Sequence, residues 1–335
     1  MLFSNRIGID LGTANCLVYV GKKGITLNEP SVVAVSVYDK KVVAVGFEAK
    51  EMLGRTPGNI MASRPMRDGV IADYVVTEAM LKYFIQKTCG RSMFFKPEVL
   101  ICIPAGATQV EKRAVEDATI AAGASTAYII QEPLAAAIGA GIPIGEPSGN
   151  MVLDIGGGAA EAAVISLGGV VVYQSVRVGG ARLDDAIMSW IRKTHNLTIG
   201  ETTAEDIKLT IGSAMKIKHD KKMMIKGRDS VTGLPRRMEI STNELVDALE
   251  PRLMQIVNMV KKVLEQVPPE LSSDIIDKGV VMTGGTSTLK NFDNLLAKET
   301  GIPCYVAEDA LYCVAKGTGV VLENLDMYKR SLSRR

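Results

Sequence analysis

Leu153–Ile165 reads LDIGGGAAEAAVI. An apolar strand runs into one carboxylate, Asp154, breaks at three consecutive glycines and resumes within a few residues, the pattern of a tight hairpin. Consecutive backbone N–H groups in such a turn form a nest for an anion, and a Cβ there would hold a phosphate away. The same grammar occurs earlier in the chain, where Ile7–Val18, IGIDLGTANCLV, gives apolar strand, Asp10, apolar residue, Gly12, a small-residue turn and a second strand. Asp10 and Asp154 lie 144 positions apart in a chain of 335 residues. One such turn alone is as readily a glycine-dependent β-turn without a ligand. Two of them, each preceded by an Asp at the same offset, make a clamp for a polyphosphate, with Asp10 and Asp154 placed to receive a hydrated magnesium ion. The repeat implies two related lobes, residues 1–145 and 146–335, meeting near GIPIGEPSGN (141–150).

Composition agrees with two cores in one globular chain: 47% of residues are hydrophobic and 23% charged. The net charge of +2 and the 5% aromatic content leave neither the basic surface nor the stacking platforms that nucleic-acid binding uses. Five scattered cysteines and two histidines have no metal-ligand spacing and no disulfide pattern, which points to a reducing compartment. No apolar run reaches the ~18 residues of a membrane span, and MLFSNRIGID lacks the regions of a secretory signal. The expected location is the cytoplasm, with contact to a membrane from that side left open.

Strands and amphipathic helices alternate after each hairpin, the pattern of α/β layers. Glu98–Ile103 (EVLICI) is predicted as a strand, and Thr108 with Glu111 forms a capping box opening a helix that Gly123 closes. Ser241 with Glu244 opens another, along which Leu253, Ile256, Val257, Val260 and Leu264 recur at helical spacing, with Pro251 expected to begin or kink it. In QEPLAAAIGAG (131–141), Pro133 drives Glu132 out of the helical region and suits the first helical turn. Glu132 therefore sits at a strand-to-helix corner, on the crevice where open α/β sheets bind ligands, able either to orient a water or simply to favour the helix dipole. VVMTGGTS (280–287) is a strand ending in a glycine turn suited to an adenosine and its first phosphate, and AKGTG (315–319) permits close helix packing or a hinge.

In this order the five elements resemble the ATPase superfamily of actin, Hsp70-type chaperones and sugar kinases, and within it the chain resembles the MreB family of bacterial actins over nearly its whole length. The likeness rests on IGIDLGTAN (7–15), NEPSVVA (28–34), RPMRDGVIADY (64–74), EPLAAAIGAG (132–141), DIGGG (154–158), AVISLGG (163–169), PPELSSDIIDKGVVMTGG (268–285) and VAKGTG (314–319). The resemblance implies an actin-like α/β fold: a duplicated ribonuclease H-like core of four subdomains around a nucleotide cleft, with the helix after Gly319 packing back on the first lobe. It further implies ATP or ADP with Mg2+, and homopolymers, typically paired antiparallel protofilaments, at the inner face of the cell membrane beside shape or wall-synthesis proteins. Carried over by position, Asp10, Gly12, Thr13, Ala14 and Asn15 meet the phosphates and metal, and Asp154 with Gly156, Gly157 and Gly158 forms the opposing clamp. Glu132 positions the hydrolytic water, Glu205 and Lys208 contact the ribose and adenine side, and Gly284, Gly285 and Thr286 approach the nucleotide.

Four departures stand out. The family usually writes DIGGGTTE, with hydroxyls where this chain has Ala159 and Ala160, and the first of those hydroxyls shares the positioning of the water with the glutamate. Gln131 and Ala181 replace usual acidic residues, and Thr286 replaces a third glycine. Nucleotide binding is expected to survive, with slow hydrolysis. Met93, Phe94 and Phe95 stand where relatives carry a membrane-inserting loop, to which Leu2 and Phe3 add. The basic run Lys216, Lys218, Lys221, Lys222, Lys226 and Arg228, with the tail KRSLSRR, reads as a solvated face, attraction to anionic lipid being the competing reading. A small-molecule kinase needs a substrate pocket from insertions and a chaperone needs a peptide-binding domain, and the chain shows neither. A dynamic ATP-hydrolysing filament and a slowly turning scaffold filament are the readings that survive.

Overall fold

The computed structural model describes residues 6–90, 96–328 and 332–334, so the expected membrane residues Met93, Phe94 and Phe95, with Leu2 and Phe3, lie outside the described residues. The first half contains strands β1 (Arg6–Leu11), β2 (Asn15–Val20), β3 (Gly24–Pro30), β4 (Val33–Ser36) and β5 (Val42–Val45), then helix α1 (Phe47–Met52). There follow β6 (Ile60–Ser63), β7 (Met66–Arg67), β8 (Val70–Ile71), α2 (Tyr74–Cys89), β9 (Glu98–Ile103), α3 (Gln109–Ala121), β10 (Thr126–Gln131) and α4 (Glu132–Gly139). The second half opens with β11 (Asn150–Ile155), β12 (Ala160–Ser166), β13 (Gly169–Val176), α5 (Gly180–His195), β14 (Leu197–Thr198) and α6 (Glu201–Ile211). It continues with β15 (Lys222–Asp229), β16 (Pro235–Ser241), α7 (Thr242–Gln266), α8 (Pro269–Lys278), β17 (Val280–Thr283), α9 (Phe292–Thr300) and β18 (Cys304–Val306). Last come α10 (Cys313–Glu323), α11 (Leu325–Tyr328) and β19 (Ser333–Arg334).

The sequence repeat is a repeat of topology. One sheet runs β19-β10-β9-β1-β2-β3 and the other β13-β12-β11-β17-β18. In each, an antiparallel meander of three strands joins two parallel ones through its first strand: β1 pairs with β2 and, in parallel, with β9, as β11 pairs with β12 and β17. Two small sheets, β5-β4-β6 and β14-β15-β16, are inserted one per half, which completes four subdomains.

Both predicted capping boxes form, Thr108 with Glu111 and Ser241 with Glu244. Pro251 does not begin its helix: the Ser241 box starts α7 well upstream, and Pro251 lies in its interior. Leu253, Ile256, Val257 and Val260 are fully buried, with Leu264 packed against the same core.

Helices α4 and α10 occupy the space between the two sheets. Leu134–Ile138 and Val314, Val321 and Leu322 share one core with Leu100, Cys102 and Ile130 of the first sheet and Val152, Ala163 and Ile165 of the second. The AKGTG segment lies inside α10, so this helix starts at Cys313 and not after Gly319. Its small residues let backbones touch: a Cβ on Gly317 would strike the Ala135 carbonyl, one on Gly139 the Cys313 carbonyl, and one on Gly319 the Tyr19 ring. The close crossing accounts for glycine here despite its cost of about 1 kcal/mol in a helix interior.

Replacing Gly139 or Gly317 by Val is therefore expected to lower stability by about 3 kcal/mol or more in denaturant unfolding, because the clash is with rigid backbone. Gly145→Ala, which meets nothing within 4 Å, is expected to stay within about 0.5 kcal/mol.

Candidate functional site

The turns of the two large hairpins face each other. A Cβ on Gly157 would lie 2.5 Å from Ala14 Cβ, and one on Gly158 would lie 2.9 Å from Thr13 Cβ and 2.8 Å from the Gly69 nitrogen. The turn carbonyls are engaged by the protein. Ser31 Oγ donates to Gly12 O at 2.6 Å and the Ser31 amide to Ala14 O at 2.9 Å, while the Gly180 and Ala181 amides donate to Gly156 O and Gly157 O at 3.0 and 2.9 Å. Thr286, the residue in place of a third glycine, donates its hydroxyl to Gly156 O at 2.8 Å and so ties the second turn to the loop after β17. By contrast, no hydrogen bond among the described residues uses the amides of Thr13, Ala14, Gly157 or Gly158. Satisfied carbonyls with free amides are what an anion nest requires.

Beneath the turns four carboxylates gather, Asp154 and Glu161 buried and Asp10 and Glu132 partly so. The β11–β12 register sets Asp154 directly opposite Glu161, and Glu132 enters from the N-terminus of α4. Burial, then the Asp154 charge, pushes the Asp10 carboxyl up to about 7. Burial raises Asp154 to about 6 against a 2.7 Å hydrogen bond from Thr283 Oγ1. Glu161 is pushed up to about 7 by burial, against the Ala105 amide that donates to Oε2 at 3.0 Å, with Asp154 raising it further. Glu132 is raised well above the carboxylate range by burial and by Glu161, Asp10 and Asp154. The charges acting on the four are one another's, and Glu161 Oε1 has no hydrogen-bond partner.

Such a set calls for a cation. No group of three or more His, Cys, Asp or Glu among the described residues closes a direct metal site. That suits magnesium, which keeps several waters and takes one or two carboxylates together with phosphate oxygens. Asp10 and Asp154 are the residues that would hold it.

The other expected contacts are placed as follows. Asn15 Nδ2 donates to Asn28 Oδ1 at 2.9 Å, fixing the start of β2. Lys208 is paired with Asp184 at 2.8 Å and donates to Gly180 O at 3.0 Å. Glu205 is paired with Lys50 of the first half at 2.7 Å; burial raises its carboxyl, and Lys50, Lys208 and Arg64 together hold it below the usual range. A cavity of about 250 Å³ opens beside these groups, lined by Lys208, Ile211, Gly285, Thr286 and Leu289 among others. Gly284, at φ +80°, is a glycine because a Cβ would meet the backbone of Ile155. The two alanines differ: Ala160 is a fully buried core residue, whereas Ala159 is half-buried and lies beside Gly69, over the turns.

Sequence reasoning missed Glu161, although a hairpin centred on Gly157 and Gly158 necessarily sets it opposite Asp154. It also missed three ion pairs that join the halves across the cleft: Lys50 with Glu205, Arg64 with Glu201 at 2.8 Å, and Arg182 with Asp68 at 3.2 Å. Asp68 and Arg64 fall within RPMRDGVIADY, but nothing local in that motif names their partners.

The comparisons with known proteins cover nearly the whole chain. The family model for MreB/Mbl protein matches residues 4–330. The cell shape-determining protein MreB of Escherichia coli (strain K12) is 53% identical over 332 residues, 98% of this chain and 96% of that protein. The cell shape-determining protein Mbl of Bacillus subtilis (strain 168) is 50% identical over 333 residues, 99% and 100% of the two chains. The crystal structure of MreB5 of Spiroplasma citri bound to ADP superposes with a TM-score of 0.92 at 37% identity, covering 98% of each chain. The same protein bound to AMPPNP gives 0.92 at 36%, covering 98% of this chain and 99% of that one.

The raised carboxyls set a pH dependence. Between about pH 4 and pH 7 the unfolded chain has lost these protons while the folded chain keeps them, so their contribution to stability falls as pH rises through that window. The nucleotide-free protein is expected to melt at lower temperature at pH 8 than at pH 5.5. Glu161→Gln is expected to flatten that slope in scanning calorimetry.

Proposed function

Because the chain belongs to the MreB/Mbl family, we propose that it binds ATP with magnesium in the cleft between its lobes and polymerises into filaments that act in determining cell shape at the inner face of the cytoplasmic membrane. The observation that carries this reading is the pair of facing turns with free amides above a cluster of carboxylates whose charges act on one another. A relative solved with ADP and with AMPPNP shares the fold over almost the full chain.

In this reading the amides of Thr13, Ala14, Gly157 and Gly158 donate to phosphate oxygens, and Asp10 and Asp154 would hold the metal. Magnesium, when bound, neutralises phosphate charge and orients the polyphosphate. Lys208, Glu205 and the cavity beside Gly285 and Thr286 accommodate the nucleoside end. The ion pairs from Lys50, Arg64 and Arg182 span the cleft mouth, so ligand closure and lobe closure are one event. Homopolymers in paired antiparallel protofilaments, shape or wall-synthesis partners and a membrane contact through the loop at Met93, Phe94 and Phe95 complete the proposal.

Hydrolysis is the point at which this chain departs. Glu132, at the corner between β10 and α4, accepts a hydrogen bond from the attacking water and orients it. The second positioning group in the family pattern is a hydroxyl at 159, where this chain presents a methyl. Loss of one transition-state hydrogen-bond partner costs about 10²–10³ in rate. Binding without fast turnover favours a persistent filament over a rapidly cycling one.

Electron microscopy and pelleting with ATP, ADP and no nucleotide test the assembly, with nucleotide-dependent polymers expected. A phosphate-release assay on the same samples is expected to give slow turnover, raised on the order of 10²-fold by Ala159→Thr with nucleotide affinity unchanged. Fast release by the parent chain, or no gain on restoring the hydroxyl, contradicts the role given to Ala159.

A further inference from the structure

The hairpin β15–β16 carries a charge arrangement that the fold itself does not use. Its inner face is anchored: Ile225 and Ile240 are buried, and Met223 and Met238 pack on the core of the second half. Its outer face is basic. Lys226 stands directly opposite Arg237 in the strand register, with Arg228 on the diagonal. Like charges directly opposite on a sheet are destabilising, so this face is held in place by the buried side and against its own repulsion.

Among the described residues no carboxylate is paired with these three cations. The hairpin's two carboxylates are spent elsewhere, Asp229 on Arg236 and Glu239 on Lys222, each at 2.8 Å. Lys226, Arg228 and Arg237 form no ion pair among the described residues and all three are exposed. Residues 218–239 hold seven Lys and Arg against three Asp and Glu, so a chain whose net charge is +2 carries +4 here and −2 elsewhere. Apolar side chains border the cations: Met224 is 59% exposed, and at the hairpin tip Val231 is 79% and Leu234 65% exposed. The Asp229 carboxylate accepts from the Val231 and Thr232 amides at 2.9 Å, so the tip is a formed turn.

We propose that the outer face and tip of this hairpin are a docking surface for an anionic lipid bilayer. Lys226, Arg228 and Arg237 meet the headgroups, and Val231 and Leu234 enter the interface. Charge complementarity selects an anionic partner, and the solvent-facing apolar tip selects a bilayer. Residues 216–241 contain no Phe, Tyr or Trp on which a nucleic-acid base would stack. Repetition of the hairpin along a polymer makes a weak single contact strong. The assignment deepens the membrane contact put forward above and rests on it, while naming a site separate from the loop at Met93.

The test is co-sedimentation of the full chain with phosphatidylglycerol-containing vesicles, with phosphatidylcholine vesicles and with double-stranded DNA, at low and high salt. The triple variant Lys226→Gln, Arg228→Gln, Arg237→Gln is expected to bind anionic vesicles at least tenfold more weakly than the parent and with a smaller salt dependence. Val231→Ser with Leu234→Ser is expected to weaken binding several-fold at unchanged salt dependence. The triple variant is expected to melt no lower than the parent, since it removes a repulsion, and to polymerise as the parent does. Equal binding by parent and triple variant, or tighter binding of DNA than of anionic vesicles, overturns the docking surface. A parent chain that binds no vesicle at all overturns the membrane contact as a whole.

Discussion

Four carboxylates drawn together at one cleft, Asp154 and Glu161 buried and Asp10 and Glu132 partly so, are the constraint on which the rest of the molecule depends. Drawn out of water beside one another, such groups hold protons they would otherwise lose, and the folded chain bears the cost. What keeps them together is not local. Asp10 and Asp154 are set by two hairpins half a chain apart, Glu161 by the register of the second, and Glu132 by the corner between β10 and α4. This concentration of negative charge is what the proposed magnesium site would use.

The apparatus that holds the cleft divides into a fixed part and an adjustable part. The fixed part is the layer of α4 and α10 between the two sheets, where glycines allow carbonyl oxygens of one helix to meet the backbone of the other. Such a contact admits little sliding, since protein interiors are close-packed. The adjustable part lies at the opposite edge, where the halves touch through the partly exposed pairs of Lys50, Arg64 and Arg182. Individually weak and screened by salt, these pairs can open without disturbing either core. The duplicated sheets thus act as two rigid plates joined firmly at one end and lightly at the other.

Much of this was legible in the sequence because it is written locally. Twin Asp-Gly hairpins, both capping boxes and the strand-to-helix corner at Glu132 each depend on residues within a few positions of one another. The features that escaped depend on distance in sequence: Glu161 is recognised only through its register with Asp154, and Lys50, Arg64 and Asp68 only through partners in the other half. Pro251 shows tertiary context overriding a local rule, since a helix opened by a strong box and buried along one face absorbs a proline in its interior. The glycines of α10 permit either packing or a hinge by sequence, and close packing against α4 and Tyr19 explains them. Of the paired alanines, Ala160 fills the core, whereas Ala159 is half-buried beside Gly69.

Calorimetric titration of magnesium and ATP into the protein near pH 6.5, repeated in buffers of different ionisation enthalpy, tests the central claim most directly. Binding that requires the metal and releases protons, with the release diminished in Asp154→Asn, is the predicted result. Binding that proceeds equally well without magnesium and displaces no proton would contradict a cleft organised around buried carboxylates awaiting a cation.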